Sequence, residues 1–392
     1  MRMSRTAKLA GLVAVVALGV AAYAAFVLPG QIERSQNVNL PHAPYVVSER
    51  AQALHATLFI ADLHSDSLLW KRDLAERSSN GHMDLPRLRA GNVALQVFSA
   101  TTKSPVGQNY ERNSAGSDNI TRLAIASFWP PRTWNSLYER ALFQLGKLET
   151  LAAQSELRLL RTQGDLRELI AARERGEPAI GAVYLIEGAH PLEGDVDKLD
   201  RLFAAGLRIV GLTHFFDNEL GGSLHGISGE GLSEFGEAVV DRAGELGMIV
   251  DVAHASPAMV DDVLGRTTRP VVLSHGGLEG ACPSARNFAD ALMLRIAATG
   301  GLVGIGYWDA AVCDVTPAGV VASIRYAIDL LGVEHVALGS DYDGATAVAF
   351  DTSELAVLTD AMLASGFSER EIRLVMGENV QRFLLQYLPR TD

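Results

Sequence analysis

Eight short apolar runs, most of them stopping at a carboxylate or an imidazole, constrain this chain more than any other feature of its sequence. They occupy residues 58–64, 93–99, 181–187, 207–214, 248–254, 271–275, 302–307 and 336–341. Amphipathic stretches separate most of them, for example 136–153, 233–246, 257–264, 289–298 and 317–331. Strands that alternate with helices pair in parallel through right-handed crossovers. Eight such units within 392 residues predict an α/β fold, a closed (β/α)8 TIM barrel. The crossover over 71–92 carries little helical pattern, and the long one over 101–176, with Trp129-Pro130-Pro131, predicts an insertion above the barrel mouth. Two helices, near 352–364 and 368–388, are expected after the last strand.

The first 30 residues stand apart. Arg2, Arg5 and Lys8 precede an uncharged apolar run over 9–28, closed by Pro29-Gly30. A run of this length spans a bilayer as a helix, and the preceding positive charges keep its start in the cytoplasm. The alternative is a cleaved signal peptide, with Ala22-Tyr23-Ala24 as a small-x-small site. Either reading exports the chain: anchored in the inner membrane and facing the periplasm, or periplasmic after cleavage. Residues 1–30 are thus read as anchor or signal, 31–47 as a polar tether and 48–392 as the barrel. The formal net charge of −12 disfavours nucleic acid as a partner.

Six of the eight runs end in His, Asp or Glu: His64, Glu187, His214, His254, His275 and Asp341. Chemistry in a (β/α)8 barrel sits at the C-terminal strand ends, and packing alone gives no reason for such residues there. His64 and Asp66, two apart, are expected to share one strand face. Zinc accepts imidazole and carboxylate, and a glutamate can bridge two ions. His64, Asp66, Glu187, His254 and His275 are therefore expected to hold two metal ions roughly 3.5–4 Å apart. Asp341 is placed to carry a proton from a bridging water to a leaving amine, with Asp343 as the alternative carrier. His214 is a sixth ligand or a donor to the substrate carbonyl oxygen. Arg286 clamps a substrate carboxylate or braces its own loop. His82, His190 and His225 are weaker loop candidates, and His42, His55 and His335 are incidental. Cys282 and Cys313 form a disulfide or remain two buried thiols, and their spacing leaves both readings open.

The segments DLHSD, GHMDLPRLRAGNVALQVFSA, LIEGA, GLTHFFDN, GLSEFGEAVVDRAGELGMIVDVAHAS, VVLSHGG, SARNFAD and ALGSDYDG run in this order through nearly the whole globular part. The chain from about residue 48 to 388 resembles the membrane dipeptidases, within the metal-dependent amidohydrolase superfamily. The resemblance implies a metallo-dipeptidase with a metal-dependent-hydrolase TIM barrel and two Zn2+ ions per chain. It would cleave dipeptides, including those with a C-terminal D-residue, by a metal-bridging hydroxide. It implies His64 and Asp66 as ligands of one zinc, Glu187 as the bridge, and His254 and His275 as ligands of the second. It further implies a substrate-binding, oxyanion-stabilising role for His214, carboxylate binding for Arg286, proton transfer for Asp341 and a Cys282–Cys313 disulfide. Partners so implied are a small dipeptide and, through the N-terminal helix, a membrane; a homodimer is compatible with this reading. The chain departs from the family pattern at Leu63, Ser65, Ser67 and Leu68, and at Phe215-Phe216-Asp217 with the Gly-rich insert that follows. Two alternatives stand beside it: a metal amidohydrolase acting on N-acyl amino acids, and a catalytically silent, membrane-tethered binding protein.

Overall fold

A computed structural model describes residues 5–391, so Arg2 of the N-terminal basic cluster lies outside the described residues. Eight strands form the barrel: β1 (Ile60–Asp62), β2 (Val93–Thr101), β3 (Ile180–Glu187), β4 (Leu207–Gly211), β5 (Ile249–Asp251), β6 (Val272–Gly276), β7 (Leu302–Ile305) and β8 (Val336–Leu338). Each pairs in parallel with the next, and Leu338 of β8 pairs with Asp62 of β1, which closes the ring. Every run read as a strand contributes one. A further short strand, Leu157–Leu159, pairs with the start of β3.

Strands buried on both faces read as near-continuous apolar runs. Their inward side chains, among them Ala61, Leu95, Val183, Ile209 and Ala337, share one cluster with Val380, Phe383 and Leu384 of the terminal helix Asn379–Tyr387. That helix plugs the end of the barrel where the strands begin. The kinked turn Leu374–Glu378 that leads into it lies so close to the barrel that a Cβ on Gly377 would fall 1.9 Å from the Phe59 carbonyl oxygen. The outward residues, such as Phe98, Tyr184 and Val250, pack beneath the surrounding helices. Several of those helices start where a hydroxyl can accept a backbone N–H: Ser136, Ser233, Ser256 and Thr316 are N-caps.

As the sequence predicts, the first crossover holds only the six-residue helix Leu85–Ala90. The insertion between β2 and β3 carries the helices Asn119–Ala126, Leu137–Ala153 and Gln163–Glu174. One buried arginine pins it: Arg140 donates to the carbonyls of Thr133 (2.7 Å), Thr102 (2.7 Å) and Trp134 (2.9 Å), and to Asp118 (2.7 Å).

The N-terminal helices are α1 (Arg5–Phe26) and α2 (Leu28–Gln36). This stretch contains the one helix among the described residues that is long and apolar enough to cross a membrane. The segment expected as a tether is docked on the barrel instead. Glu33 of α2 is buried and accepts from Arg72 Nε at 2.5 Å. Val38–Asn39 pairs with Ala347–Val348, and the Tyr45 hydroxyl donates to the Ala349 carbonyl at 3.0 Å. A polar sequence without a period conceals this docking, because one buried ion pair and a two-residue strand carry it.

Cys282 and Cys313 are joined as a disulfide, with sulfurs 2.01 Å apart, tying the loop after β6 to the loop after β7. The bond closes a loop with a sequence separation of 31. Replacing both cysteines by alanine should cost about 3–4 kcal/mol through the freed loop-closure entropy of the unfolded chain. Thermal unfolding of the variant beside the parent chain checks this, and an unchanged midpoint would contradict it.

Candidate active site

The polar residues at the strand ends converge, although most lie just beyond the strands. β1 stops at Asp62, His64 follows, and Asp66 opens the 3-10 turn Ser67–Leu69. His64 and Asp66 therefore meet through a turn rather than across a strand pleat. The turn is held from behind: Asp62 accepts from the backbone N–H groups of His64 (3.0 Å) and Ser340 (3.0 Å), and Ser65 bridges to Tyr342. Asp251 does the same on the far side, accepting from the N–H groups of Ala253 (3.0 Å) and Ser274 (2.9 Å).

Glu187, at the end of β3, occupies the centre. Its Oε1 lies 3.6 Å from His64 Nε2, 3.3 Å from His254 Nε2 and 3.4 Å from His275 Nε2, while Oε2 lies 3.3 Å from His214 Nε2. Three overlapping sets have donor atoms within 4.8 Å of one another: His64–Glu187–His275, Glu187–His214–His254 and His64–Asp66–Asp341. All of these side chains are buried.

The electrostatics of the cluster favour bound cations. Burial pushes the Asp341 carboxyl well above its ordinary range, and the nearby charges of Asp66 and Glu187 push it further. Burial, opposed by His214 and reinforced by Asp66, also raises Glu187. For His64 burial acts downward, yet Glu187, Asp66 and Asp341 outweigh it and lift the imidazole to about 10. Burial holds His254 and His275 well below their usual values, hence neutral, which is the form that binds metal. Their Nε2 atoms face each other at 2.9 Å, and His64 Nε2 has no hydrogen-bond partner. Two neutral imidazoles meeting nitrogen to nitrogen require a proton or a cation between or beside them. The donor set of imidazole nitrogen and carboxylate oxygen fits divalent metal ions.

Side chains outside the predicted set orient these groups. Thr101 Oγ1 lies 2.9 Å from both Asp66 Oδ1 and Glu187 Oε2. Ser274 Oγ donates to Asp251 Oδ2 at 2.5 Å and sits 2.9 Å from His275 Nδ1. Thr101 was within reach of the strand periodicity, since it extends the Val97, Ser99 alternation to the end of β2.

Arg286 is buried against Trp308, 5.6 Å from the ring centroid. Its Nη2 donates to the His275 carbonyl at 2.7 Å, whereas its Nε has no partner. It therefore braces its surroundings and keeps a donor in reserve. Asp343 has no such freedom: it accepts from the His82 N–H at 2.7 Å, from Arg72 and from Ser67. Asp341, by contrast, remains among the metal-binding candidates. His82 accepts from the Asp343 N–H (3.1 Å), His225 contacts the Tyr110 carbonyl (2.8 Å) while stacked on Phe215, and His190 packs on Phe216. His254, Asp341 and Asp343 all have left-handed backbone, with φ of 63°, 57° and 66°. Such strain at non-glycine residues collects at functional sites.

A cavity of about 750 Å³ joins the group, with Asp66, Glu187, His214, His254, Arg286 and Asp341 in its lining. The profile of the family described as membrane dipeptidase (peptidase family M19) matches residues 48–387. The chain belongs to that family. It is a hydrolase of the metallo-dipeptidase type, on a TIM barrel. Among its relatives, dipeptidase aclJ of Aspergillus oryzae is 34% identical over 361 residues, spanning 83% of this chain and 77% of its own. Dipeptidase verJ of Clonostachys rogersoniana is 27% identical over 314 residues, spanning 77% of this chain and 75% of its own. The solved dipeptidase AC, a metallopeptidase of the same family, superposes with a TM-score of 0.69 at 26% identity, covering 86% of this chain and 100% of its own. A metallopeptidase from Rhodobacter sphaeroides, liganded with a phosphinate mimic of the dipeptide L-Ala-D-Ala, gives 0.67 at 25% identity, covering 85% of this chain and 99% of its own.

Removing the Ser274 hydroxyl frees His275 from its orienting contact. Ser274→Ala is expected to weaken divalent-metal affinity about 10-fold or more, read by competition against a chelator. Unchanged affinity would mean that the packing of the imidazole alone sets its direction.

Proposed function

We propose that this chain hydrolyses dipeptides with zinc held by His64, Asp66, Glu187, His254 and His275. The observation that carries the substrate assignment is Arg286, a buried guanidinium with an unpartnered Nε beside the ligand cluster. A charge-assisted hydrogen bond to a free carboxylate would satisfy it. With the carboxylate fixed there, the reach to the carboxylate cluster restricts substrates to short peptides. The dipeptide mimic bound by the Rhodobacter sphaeroides relative supports the same size class and an accepted C-terminal D-residue.

Two zinc ions in the cluster would supply a Lewis acid for the scissile carbonyl and a hydroxide nucleophile at neutral pH. The chain's own residues do the rest. His214, 3.3 Å from Glu187, is positioned to donate to the oxygen on which negative charge develops. Asp341 takes the proton of the attacking water and passes it to the departing amine. Burial and the neighbouring carboxylates raise its proton affinity, which suits that delivery. Phe215 and Tyr110 line the cavity and keep bulk water from the reacting bond.

In this reading residues 1–30 anchor the enzyme in the inner membrane, with the catalytic barrel of residues 48–392 in the periplasm. A second substrate class, N-acyl amino acids, also offers Arg286 a carboxylate. The apolar outer wall of the cavity, with Leu28, Ile32 and Leu123, would take the acyl group of such a substrate.

Hydrolysis of L,L and L,D dipeptides by chelator-stripped, zinc-reloaded chain, compared with N-acylated analogues, tests the assignment. Zinc-restored cleavage of free dipeptides is the expected result, and cleavage of the N-acylated set alone would replace it. Asp341→Asn should lower kcat by about 10²–10⁴-fold with zinc content intact; an unchanged rate would remove Asp341 as proton carrier. Arg286→Ala should cut kcat/KM for free dipeptides by roughly 10–100-fold, in keeping with a lost charged hydrogen bond. It should leave C-terminally amidated dipeptides unaffected, and equal losses on both would exclude the clamp.

A further inference from the structure

We propose that the substrate cavity opens onto the bilayer, with the insertion turn at Phe128 seated in the headgroup region of the membrane that α1 crosses. The inference rests on residues 1–30 acting as an uncleaved anchor, and it adds a second membrane contact and an orientation for the active site.

Phe128 is a large apolar side chain, 64% exposed, on a non-glycine residue with φ of 59°. Water gives no reason to hold a phenyl ring outward on strained backbone. The turn is nevertheless firmly built. Trp129 is buried against Phe143 at 4.7 Å, its N–H donates to the Ala124 carbonyl at 2.8 Å, and its own carbonyl accepts from Trp134 Nε1 at 3.1 Å. Fixing Trp129 inward turns Phe128 outward.

The Phe128 ring meets Phe26, the last residue of α1, with centroids 6.3 Å apart. Lys71 joins the two: its ammonium lies 5.4 Å from the Phe26 centroid and 4.9 Å from that of Phe128, and it donates to the Ala25 carbonyl at 2.7 Å. Phe26 is 78% exposed, Val27 42% and Ile125, one turn before Phe128, 46%. The apolar patch is therefore continuous with the end of the membrane helix, so its occupant is the bilayer into which that helix leads. Aromatic rings and a lysine whose stem lies along apolar surface are what the interfacial zone favours.

The two helices next to this patch wall the cavity. α2 contributes Leu28 and Ile32, and the helix Asn119–Ala126 contributes Ile120 and Leu123. A membrane against Phe26 and Phe128 therefore lies beside the cavity rim, and substrate approaches along the membrane surface.

The chain has no free cysteine among the described residues, so one introduced cysteine gives a unique label. Three variants of the full chain, Phe128→Cys, Leu18→Cys and Glu174→Cys, would carry an environment-sensitive fluorophore in phosphatidylglycerol-containing vesicles. Leu18 lies within α1, and Glu174 is exposed where the helix before β3 ends, on the far side of the barrel. The expected result is quenching of labels 18 and 128 by spin-labelled lipid, with 128 several-fold less accessible to aqueous iodide than 174. Lipid quenching at 18 with a position 128 as open to iodide as 174 overturns the proposal and leaves the anchor standing. Lipid quenching at neither position removes the anchor reading itself. Shielding of 128 from iodide without lipid quenching also overturns it, assigning the patch to a protein partner or a second copy.

Discussion

The carboxylate of Glu187, held against four imidazoles at the mouth of the barrel, is the contact on which the rest of the site depends. A buried carboxylate is costly unless charge of the other sign compensates it. Here Asp66 and Asp341 stand nearby and increase the deficit of positive charge. His64, lifted to about 10, supplies one positive charge at most, and burial keeps His254 and His275 neutral. The polar cluster is thus a poor core and a good receptor for cations. Barrel closure makes it affordable: groups from distant parts of the sequence are fixed on strand ends that cannot spread apart, and Asp62 and Asp251 tie down the turns behind them.

A second chain of charges links this centre to the N-terminus. Arg72 pairs with Glu33 of α2 and with Asp343, two residues beyond Asp341. A buried ion pair adds little net stability, but it specifies one arrangement, since breaking it leaves an unpaired buried charge. The triad fixes α2 against the segment after β8, and the Ala345 N–H donates to Asn37 at 2.9 Å in the same place. The segment that follows α1 is in this way part of the wall around the candidate site rather than a spacer.

The barrel was legible because its strands are fully buried and therefore spelled in apolar residues, six of the eight runs ending in the His, Asp or Glu that they deliver. His64, Glu187, His254, His275 and Asp341 could be read for that reason. Their local geometry could not: His64 and Asp66 suggested a strand face, whereas β1 ends before either residue. The choice between Asp341 and Asp343 rested on Arg72, 271 positions from Asp343, and only the folded chain brings the two together. The docking of residues 31–47 was hidden for the same reason, since Glu33 looks like any solvated acid until its partner is known. Ser274 and Asp251 act through other side chains, and nothing in their spacing sets them apart from ordinary strand residues, whereas Thr101 follows the alternation of β2.

The division between floor and roof carries the last step. The floor of the cavity comes from strand ends, so its chemistry is rigid and tied to the barrel. The roof comes from α2, the loop around Tyr110 and the helix Asn119–Ala126, which belong to an insertion and an N-terminal extension. Loops and insertions can change without disturbing the strands that position the reacting groups. Which carboxylate-bearing amide is cleaved must then be decided mainly by the roof, whereas whether any is cleaved is decided by the floor. Relatives that keep the Glu187 centre but differ in these two segments should share a reaction while differing in substrate, and the family name alone does not specify the peptide.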